Sequence, residues 1–219
     1  MSQIVGLLLA AGRGARFGSD KRLHPLADGT PMAVAAARNL RPACDRLIAV
    51  LRPGSEILAG LLAAEGCETV ICAEADSGMG HTLAAGVRVS PKALGWVVAL
   101  ADMPFIAPDS HQAVAASLRA GASLAACIFD GRRGHPVGFA ARHYAELAAL
   151  TGDHGGKIIL ERHRQLLVLC PVDDPGVLRD IDRIKDLPPG RGHLAMPLLT
   201  RWPLERCGPA CLAAPQQKT

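Results

Sequence analysis

Short, wholly apolar segments alternate with longer alanine- and leucine-rich segments from residue 4 to residue 129, and this alternation constrains the fold more than any other feature. The strand-like segments are residues 4–10, 47–51, 69–73, 96–101 and 124–129, and the helix-like segments are residues 31–40, 55–65, 79–89 and 108–119. Strands that are apolar on both faces must be covered on both faces, and strands that alternate with helices form a largely parallel sheet. The pattern therefore predicts an α/β fold of three layers, α/β/α, with a Rossmann-like, mainly parallel mixed sheet.

After residue 129 the pattern changes. Residues 130–134 predict a tight turn before the apolar run 135–140, hence a β-hairpin and an antiparallel strand. The elements expected after it are a helix at 141–150, a loop at 151–156, a helix to about residue 163 and a strand at 165–170. From residue 188 the chain is rich in proline and glycine without a clear period. We therefore predict one domain, residues 1–187, and a C-terminal extension, residues 188–219.

Composition narrows the classes of function. Aromatic residues make up 3% of the 219 residues and the formal net charge is +4, so we expect no nucleic-acid partner. No run of about 18 apolar residues is present and no basic segment precedes the first apolar run, so we expect neither a membrane span nor a signal peptide. The seven cysteines are scattered, which is typical of reduced thiols in a cytoplasmic protein. Cys207 and Cys211, with His193, are too irregularly spaced to predict a zinc site.

The segment LLLAAGRGARFGSDKR, residues 7–22, ends the first apolar run in a basic, glycine-rich loop. A Walker-type phosphate loop needs Gly-Lys-Ser/Thr, which this loop does not contain, and a dinucleotide fingerprint needs a glycine at the position of Phe17. Two interpretations stay open from the residues alone. The loop is either a nest of backbone amides that binds a triphosphate, with Arg16 and Lys21 balancing its charge, or a turn with solvated basic residues.

The motif L-A-A-G-x-G-x-R-x-G, followed by a lysine, resembles the signature loop of the nucleotidyltransferases, and is similar to that of the branch that makes molybdenum cofactor dinucleotides. The resemblance implies that Gly12 and Gly14 admit a triphosphate to the backbone, and that Arg16, Lys21 and Asp102 are the catalytic residues. The nucleotide-binding residues that it implies are Leu9, Ala10, Ala11, Gly12, Gly14, Arg16, Lys21, Asp76, Gly78 and Asp102.

Later segments extend the resemblance, in the same order, to about residue 187. Asp102 lies in Ala101-Asp102-Met103-Pro104, the family's acid-Met-Pro position at a strand end. A carboxylate that faces a triphosphate there is a natural ligand for Mg²⁺, although an aspartate after a strand is also a common helix cap. Asp180-Ile181-Asp182 resembles the family's closing motif, which implies Asp182 as a second ligand of the metal.

Two further segments, GHPVGF at 134–139 and TGDHGG at 151–156, resemble the acceptor side of molybdopterin-directed enzymes. The acceptor-binding residues that they imply are His135, Pro136, Gly152 and Asp153. We expect His135 to position the acceptor or to support the structure, because an anionic phosphate nucleophile needs no general base. Arg132 and Arg133 are expected at the exposed tip of the hairpin, where they could also reach an acidic pterin phosphate.

One segment departs from the family pattern. Ser77-Gly78-Met79-Gly80-His81-Thr82 stands where the cytidylyl branch has a helix start rich in serine, and Gly80 and His81 replace two of those serines. A glycine-rich helix start still offers free backbone amides to an anion or a base, but fewer hydroxyl groups.

The form Leu9-Ala10-Ala11-Gly12 is the one that the family associates with CTP, whereas guanylyl members have glycine at the position of Ala11. The resemblance therefore implies a Mg²⁺-dependent cytidylyltransferase that transfers CMP from CTP to molybdopterin or molybdenum cofactor and releases pyrophosphate. It also implies cofactor exchange, in the cytoplasm, with a xanthine dehydrogenase-type molybdenum hydroxylase or its maturation chaperone. Three alternatives stay open: another phosphorylated acceptor such as a sugar phosphate, a non-catalytic maturation factor, and a nicotinamide-dependent reductase, which the late third glycine disfavours.

Overall fold

A mixed sheet of seven strands forms the middle layer of the computed structural model, which describes residues 3–14 and 17–188. The strands are β1 (Ile4–Ala10), β2 (Arg46–Leu51), β3 (Glu68–Ile71), β4 (Gly95–Leu100), β5 (Leu124–Phe129), β6 (Arg132–Ala140) and β7 (Leu167–Pro171). Their spatial order is β3-β2-β1-β4-β6-β5-β7. The pairs among β1 to β4 and the pair β5–β7 are parallel, whereas β6 is antiparallel to β4 and to β5. The predicted α/β fold with a mainly parallel mixed sheet is confirmed.

Helices cover both faces of this sheet. They are α1 (Met32–Leu40), α2 (Glu56–Ala64), α3 (Met79–Arg88), α4 (Pro108–Arg119), α5 (Tyr144–Ala148) and α6 (Lys157–Arg162). The apolar residues of α1, α2 and α4 pack in one core, and those of α3, α5 and α6 pack in another. All seven residues of β1 are buried, and its side chains alternate between the two cores, with Leu8 in the first and Leu7 and Leu9 in the second. A strand buried on both faces is therefore apolar throughout, as the sequence pattern indicated.

The hairpin between β5 and β6 is tighter than the sequence predicted. Asp130 and Gly131 both have positive φ, at 48° and 70°, and form a two-residue turn between the paired residues Phe129 and Arg132. Asn-Gly and Asp-Gly pairs favour such turns because both central residues must adopt positive φ. As a result β6 begins at Arg132 rather than at residue 135. The helix expected at 141–150 is shorter, since a 3₁₀ turn (Ala141–His143) precedes α5.

Polar segments meet where β1 and β4 end, side by side and in the same direction. The amide of Ala101 donates to the carbonyl of Leu9 at 3.1 Å, so the residues after the two strands start from neighbouring points. Ligands bind at this carboxyl edge in open α/β sheets. Among the described residues no helix combines the length and the apolarity needed to cross a membrane. Arg16, His193, Cys207, Cys211 and the C-terminal extension from residue 189 lie outside the described residues.

Candidate active site

Lys21, Asp102 and Asp182 meet at the carboxyl edge of the sheet. The Nζ of Lys21 donates to Oδ2 of Asp102 at 2.7 Å, to the carbonyl of Ile181 at 3.2 Å and to Oδ1 of Asp182 at 3.4 Å. The two carboxylates lie 81 and 161 residues further along the chain. Three residues that the motifs singled out separately are thus brought to one place.

Local backbone contacts hold this group together. Lys21 begins a 3₁₀ turn (Lys21–Leu23) whose N-cap is Asp20, a side chain that accepts from the amide of Arg22 at 3.1 Å. Asp102 lies two residues after the end of β4, and its carbonyl accepts from the amide of Ile181 at 2.9 Å. The segment that carries Asp182 is therefore tied to the end of β4 by a main-chain hydrogen bond.

The electrostatics of the group favour the charged form of Lys21. Burial alone would lower the pKa of the Lys21 ammonium, but hydrogen bonds and charges from Asp102 and Asp182 outweigh it and raise the pKa above its ordinary value. Lys21 is 8% exposed, so its ammonium depends on these partners. Two carboxylates facing one ammonium leave a net negative charge. Paired carboxylate oxygens are the ligands that hard dications such as Mg²⁺ prefer, so Asp102 and Asp182 fit the metal that the family implies.

Arg22 is a contributor that sequence reasoning missed. Its guanidinium donates to the carbonyl of Ala10 at 2.7 Å, to Oγ of Ser55 at 3.2 Å and to both carboxylate oxygens of Asp20. Arg22 is 7% exposed, and its hydrogen bonds fix the end of β1 to the loop from inside the protein. The sequence signal was the Asp-Lys-Arg triplet, residues 20–22. In it Lys21 turns to Asp102, whereas the adjacent Arg22 binds the end of β1.

A cleft of about 350 Å³ opens beside Lys21 and Asp102. It is lined by Leu9, Ala10, Ala11, Gly12, Arg13, Lys21, Arg22, Ala75, Asp76, Gly78, Met79, Thr82, Leu100, Ala101, Asp102 and Asp153. Most residues predicted to bind nucleotide are among them. Gly14 is not, but it has φ of 58° and an added Cβ there would lie 3.0 Å from Cγ of Lys21, so it shapes the loop around the lysine.

The rim of the cleft carries an ion pair that the motifs did not predict. Arg13 binds both carboxylate oxygens of Asp76, with Nε at 2.7 Å from Oδ1, and Arg52 approaches Asp76 at 3.2 Å. The hydrogen bond from Arg13 holds the pKa of Asp76 below its usual range. All three side chains are at least partly exposed, so this pair contributes little to stability.

The departure at Gly80 has a structural cause. The amide of Gly80 donates to the carbonyl of Gly152 at 2.8 Å. A Cβ added at Gly80 would lie 2.6 Å from the carbonyl oxygen of Thr151, and one at Gly78 would lie 2.3 Å from the carbonyl carbon of Gly152. The loop at 151–156 therefore packs directly on the start of α3, and a serine at residue 80 would push the two apart.

A second cavity of about 200 Å³ adjoins the cleft and shares Leu9, Met79 and Leu100 with it. Its other lining residues are Leu83, Val98, Arg133, Gly134, His135, Val137, Phe139, His154, Gly156, Lys157 and Leu160. The inner wall is apolar, and the side chains of Arg133, His154 and Lys157 belong to exposed residues. The cavity is therefore an apolar slot with basic side chains near its mouth.

His135 is one of the polar residues that line this second cavity. Its Nδ1 is buried and has no hydrogen-bond partner within the described chain. Burial lowers the pKa of His135 against the opposing effects of Asp102 and of a hydrogen bond to the backbone of Val98. The imidazole is therefore held neutral, and its Nδ1 has a hydrogen-bonding capacity that no described residue satisfies.

The other residues predicted to bind the acceptor are placed differently. Pro136 is buried beside His135 in β6 and lines neither space, and Gly152 packs on Gly78. Asp153 lines the first cleft, so the 151–156 loop contributes to both spaces, with His154 and Gly156 in the second cavity. Lys157, which the motifs did not single out, also lines the second cavity.

Comparison with known families finds one match to the greater part of the chain. The family model described as "MobA-like NTP transferase domain" matches residues 6–166, which include most of β1, all of β2 to β6, Lys21 and Asp102. Asp182 lies beyond the matched residues.

Similar proteins cover nearly the same part of the chain. Nicotine blue oxidoreductase of Paenarthrobacter nicotinovorans is 28% identical over 192 residues, 84% of this chain and 94% of that protein. Purine catabolism protein PucB of Bacillus subtilis (strain 168) is 28% identical over 189 residues, 82% of this chain and 91% of that protein. The crystal structure of Rv0371c from Mycobacterium tuberculosis H37Rv is 31% identical with a TM-score of 0.75, covering 84% of this chain and 95% of that one. A further structure of Rv0371c, in complex with manganese, is 30% identical with a TM-score of 0.71 and covers 84% of this chain and 96% of that one.

Proposed function

We infer the function of the chain from its family, since it belongs to the MobA-like NTP transferase family. We propose that it transfers a nucleotidyl group from a nucleoside triphosphate to a phosphorylated acceptor. The observation that carries the proposal is the convergence of Lys21, Asp102 and Asp182 beside a cleft of about 350 Å³. An ammonium and two carboxylates at the mouth of a glycine loop suit a triphosphate and a dication, and they suit few other ligands.

In the proposed reaction, an oxygen of the acceptor phosphate attacks the α-phosphorus of the triphosphate. A new P–O bond forms as the bond between the α- and β-phosphates breaks, and pyrophosphate leaves with the electron pair. Because the nucleophile is already anionic, no side chain has to remove a proton. The protein then contributes positioning and neutralisation of charge. Lys21, whose pKa is raised, supplies a permanent cation for the phosphate oxygens.

Asp102 and Asp182 would hold Mg²⁺ in this reaction. The dication would supply a positive charge that offsets the negative charge of the phosphates during transfer. Lys21 now donates to both carboxylates, so its hydrogen bonds to them would be exchanged for bonds to the phosphates. The glycine loop would admit the triphosphate, since a Cβ added at Gly12 would meet nothing within 4 Å, and Arg16 would add a second cation.

The nucleotide is proposed to be CTP. Ala11 is 4% exposed and lines the cleft directly after β1, where its methyl group narrows the space beside Gly12. Asp76, Gly78 and Thr82 also line this cleft and would face the base or ribose.

The acceptor is proposed to be molybdopterin or molybdenum cofactor, bound in the second cavity. Its apolar inner wall suits a flat ring system, and Nδ1 of His135 offers one specific hydrogen bond. Arg133 and Lys157 line the same cavity and would attract the acceptor phosphate. The shared residues Leu9, Met79 and Leu100 place the two spaces side by side. The product would pass, in the cytoplasm, to a xanthine dehydrogenase-type molybdenum hydroxylase or to its maturation chaperone.

A redox function is the second candidate, because one relative at 28% identity carries the name nicotine blue oxidoreductase. That candidate requires a nicotinamide dinucleotide in the first cleft. The position of Phe17, buried at 4% exposure where the dinucleotide fingerprint has its third glycine, counts against it.

One set of assays separates these functions. Pyrophosphate release is measured with CTP, GTP, ATP or UTP and Mg²⁺, with molybdenum cofactor, a sugar phosphate or no acceptor. We expect release only with CTP and molybdenum cofactor. Pyrophosphate release with a sugar phosphate would mean that the acceptor is a sugar phosphate rather than molybdenum cofactor. Release with GTP would mean that the nucleotide is GTP rather than CTP. Oxidation of NADH or NADPH by the same preparation, with no pyrophosphate release under any condition, would overturn nucleotidyl transfer.

A further inference from the structure

A group of two histidines and one glutamate lies apart from both cavities. His143 ends the 3₁₀ turn before α5, Glu146 lies in α5, and His163 directly follows α6. None of the three lines the cleft or the second cavity. His143 is 3% exposed, and the other two are half-buried.

One potential ligand atom from each side chain lies close to the other two. Nδ1 of His143 lies 3.4 Å and Nε2 of His163 lies 2.8 Å from Oε1 of Glu146. All three atoms lie within 4.8 Å of one another. Ligand atoms around a tetrahedral zinc ion, with bonds of about 2.0–2.2 Å, are separated by about 3.3 Å. The observed separations are therefore close to those of three corners of a zinc site.

The outer contacts of the group orient these atoms. The other ring nitrogen of His143, Nε2, is 2.9 Å from Oγ of Ser123, and the other carboxylate oxygen of Glu146 accepts from Arg162 at 2.7 Å. Metal-binding histidines commonly hydrogen-bond through the second nitrogen, which fixes the ring and leaves the first nitrogen to the metal. Ser123 is bonded in this way to the second nitrogen of His143. Arg162 likewise holds the second carboxylate oxygen of Glu146 and leaves the first oxygen to a metal.

We propose that His143, Glu146 and His163 bind a single transition-metal dication of the zinc class, with one further position open to water. Two imidazoles and a carboxylate suit zinc, whereas the two carboxylates Asp102 and Asp182 suit Mg²⁺. The ion would join α5 to the end of α6. Lys157 and Leu160, in the same helix α6, line the second cavity, so the ion would also steady that wall. The site does not depend on the proposed reaction.

The test is a zinc titration of the full chain after removal of metals with EDTA and dialysis. Calorimetry, with competition by a chelating dye, measures affinity and stoichiometry for the parent protein, His163→Gln and Glu146→Gln. We expect one zinc ion per chain in the parent and at least tenfold weaker binding in each variant. Added zinc should raise the melting temperature of the parent but not of the variants.

Matched variants separate this site from other places where zinc could bind. His81→Gln removes a histidine outside the group, Asp102→Asn changes the proposed Mg²⁺ site, and Cys207→Ser/Cys211→Ser removes two thiols of the extension. All three should bind zinc as the parent does. Burial raises the pKa of the Cys67 and Cys127 thiols to about 12, so these thiols compete poorly at neutral pH.

A measurement on the parent alone guards against variants that fold poorly. Co²⁺ in the same site should give the visible absorption bands of a four- or five-coordinate ion, and one equivalent of Zn²⁺ should abolish them. Excess Mg²⁺ should leave the Co²⁺ bands unchanged. The proposal is overturned if the parent has no saturable zinc site, if His163→Gln binds zinc as tightly as the parent, or if Co²⁺ shows only the weak spectrum of the hydrated ion.

Discussion

The two adjoining cavities are built in different ways. In the first cleft the charged groups are already paired within the protein: Lys21 with Asp102, and Arg13 with Asp76. In the second cavity the inner wall is apolar and the buried Nδ1 of His135 has no partner within the described chain. A ligand that enters the first space must therefore break these ion pairs and form new ones with the same side chains. A ligand that enters the second space finds an apolar cavity in which no such ion pair has to break. The first space is suited to a polyanion with a dication, and the second to a flat molecule with few polar contacts.

The largest expected effect is the loss of the metal ligand. Asp102→Asn should lower kcat by about 100-fold or more at fixed Mg²⁺, because a neutral amide is a much weaker ligand for the dication. Asp102 also balances the charge of the buried Lys21 ammonium, so the melting temperature should fall as well, and the rate is compared only for protein that circular dichroism shows to be folded. The measurement is the rate of pyrophosphate release at saturating substrates.

Asp173→Asn is the matched control, since Asp173 is exposed and lines neither space. It should retain the parent rate. An Asp102→Asn rate within about a factor of two of the parent would remove Asp102 from the proposed metal site. Asp182→Asn should also weaken the dependence on Mg²⁺.

The next effect concerns the cation of the first cleft. Lys21→Ala should reduce kcat/KM for the triphosphate by about 1–3 kcal/mol, the loss typical of a hydrogen bond to a charged group. Binding of cytidine, which has no phosphates, should hardly change. Arg16→Ala should have the same signature. Lys92→Ala, an exposed lysine, is the control. Equal losses for cytidine and CTP would mean that the loop has lost its structure rather than one charge.

A substitution at the contact between α3 and the 151–156 loop tests whether the two spaces depend on each other. Gly80→Ser should destabilise the protein by about 1–3 kcal/mol, because its Cβ would lie 2.6 Å from the Thr151 carbonyl oxygen. Gly60→Ser is the matched control in α2, where an added Cβ meets nothing within 4 Å. Urea unfolding measures both. If Gly80→Ser is as stable as Gly60→Ser, the loop is free to move and the two spaces are independent.

The second cavity should respond in the acceptor parameters alone. His135→Phe should raise the KM for the acceptor about tenfold, since it removes one specific hydrogen bond, and should leave the KM for the triphosphate unchanged. His81→Phe, outside both spaces, is the comparison. A histidine with only a structural role would alter stability or both KM values together.

The smallest effect concerns the choice of base. The parent should prefer CTP over GTP in kcat/KM, and Ala11→Gly should reduce that preference by about 1–3 kcal/mol, the range for one small apolar group in a pocket. The two ratios must be measured with the same acceptor. A parent that prefers GTP would contradict the proposed nucleotide. An unchanged ratio in Ala11→Gly would instead move base selection to residues 76–82.

Much of the fold could be predicted because its signals are local. The strand at Ile4–Ala10 is apolar at every position because both of its faces are buried. The predicted turn contains Asp130-Gly131, a pair suited to positive φ, although the strand after it starts at Arg132, three residues before the first residue of the predicted run. Arg132 and Arg133 were expected at the exposed tip of the hairpin, and they are instead the first two residues of β6. They fit there because the start of β6 is exposed.

The site was predicted in part. The motifs named Lys21, Asp102 and Asp182, but nothing local to them reports that one ammonium lies between two carboxylates 81 and 161 residues away. Asp153 was expected on the acceptor side and lines the first cleft, because its loop packs on the start of α3. Arg22 and Lys157 were missed, because the sequence does not show whether a basic side chain is buried in the fold or lines a cavity.

The sequence by itself determined the order and type of the elements, the turn at Asp130-Gly131 and the loop chemistry of residues 9–21, because periodicity and backbone preference act over a few residues. The tertiary structure alone decided which distant side chains meet. The crossovers of the sheet placed Asp102 and Asp182 on Lys21, the packing of α3 against residues 151–152 made glycine necessary at residue 80, and α5 and α6 brought His163 to Glu146. Such contacts depend on how whole layers stack, and stacking is a property of the folded chain.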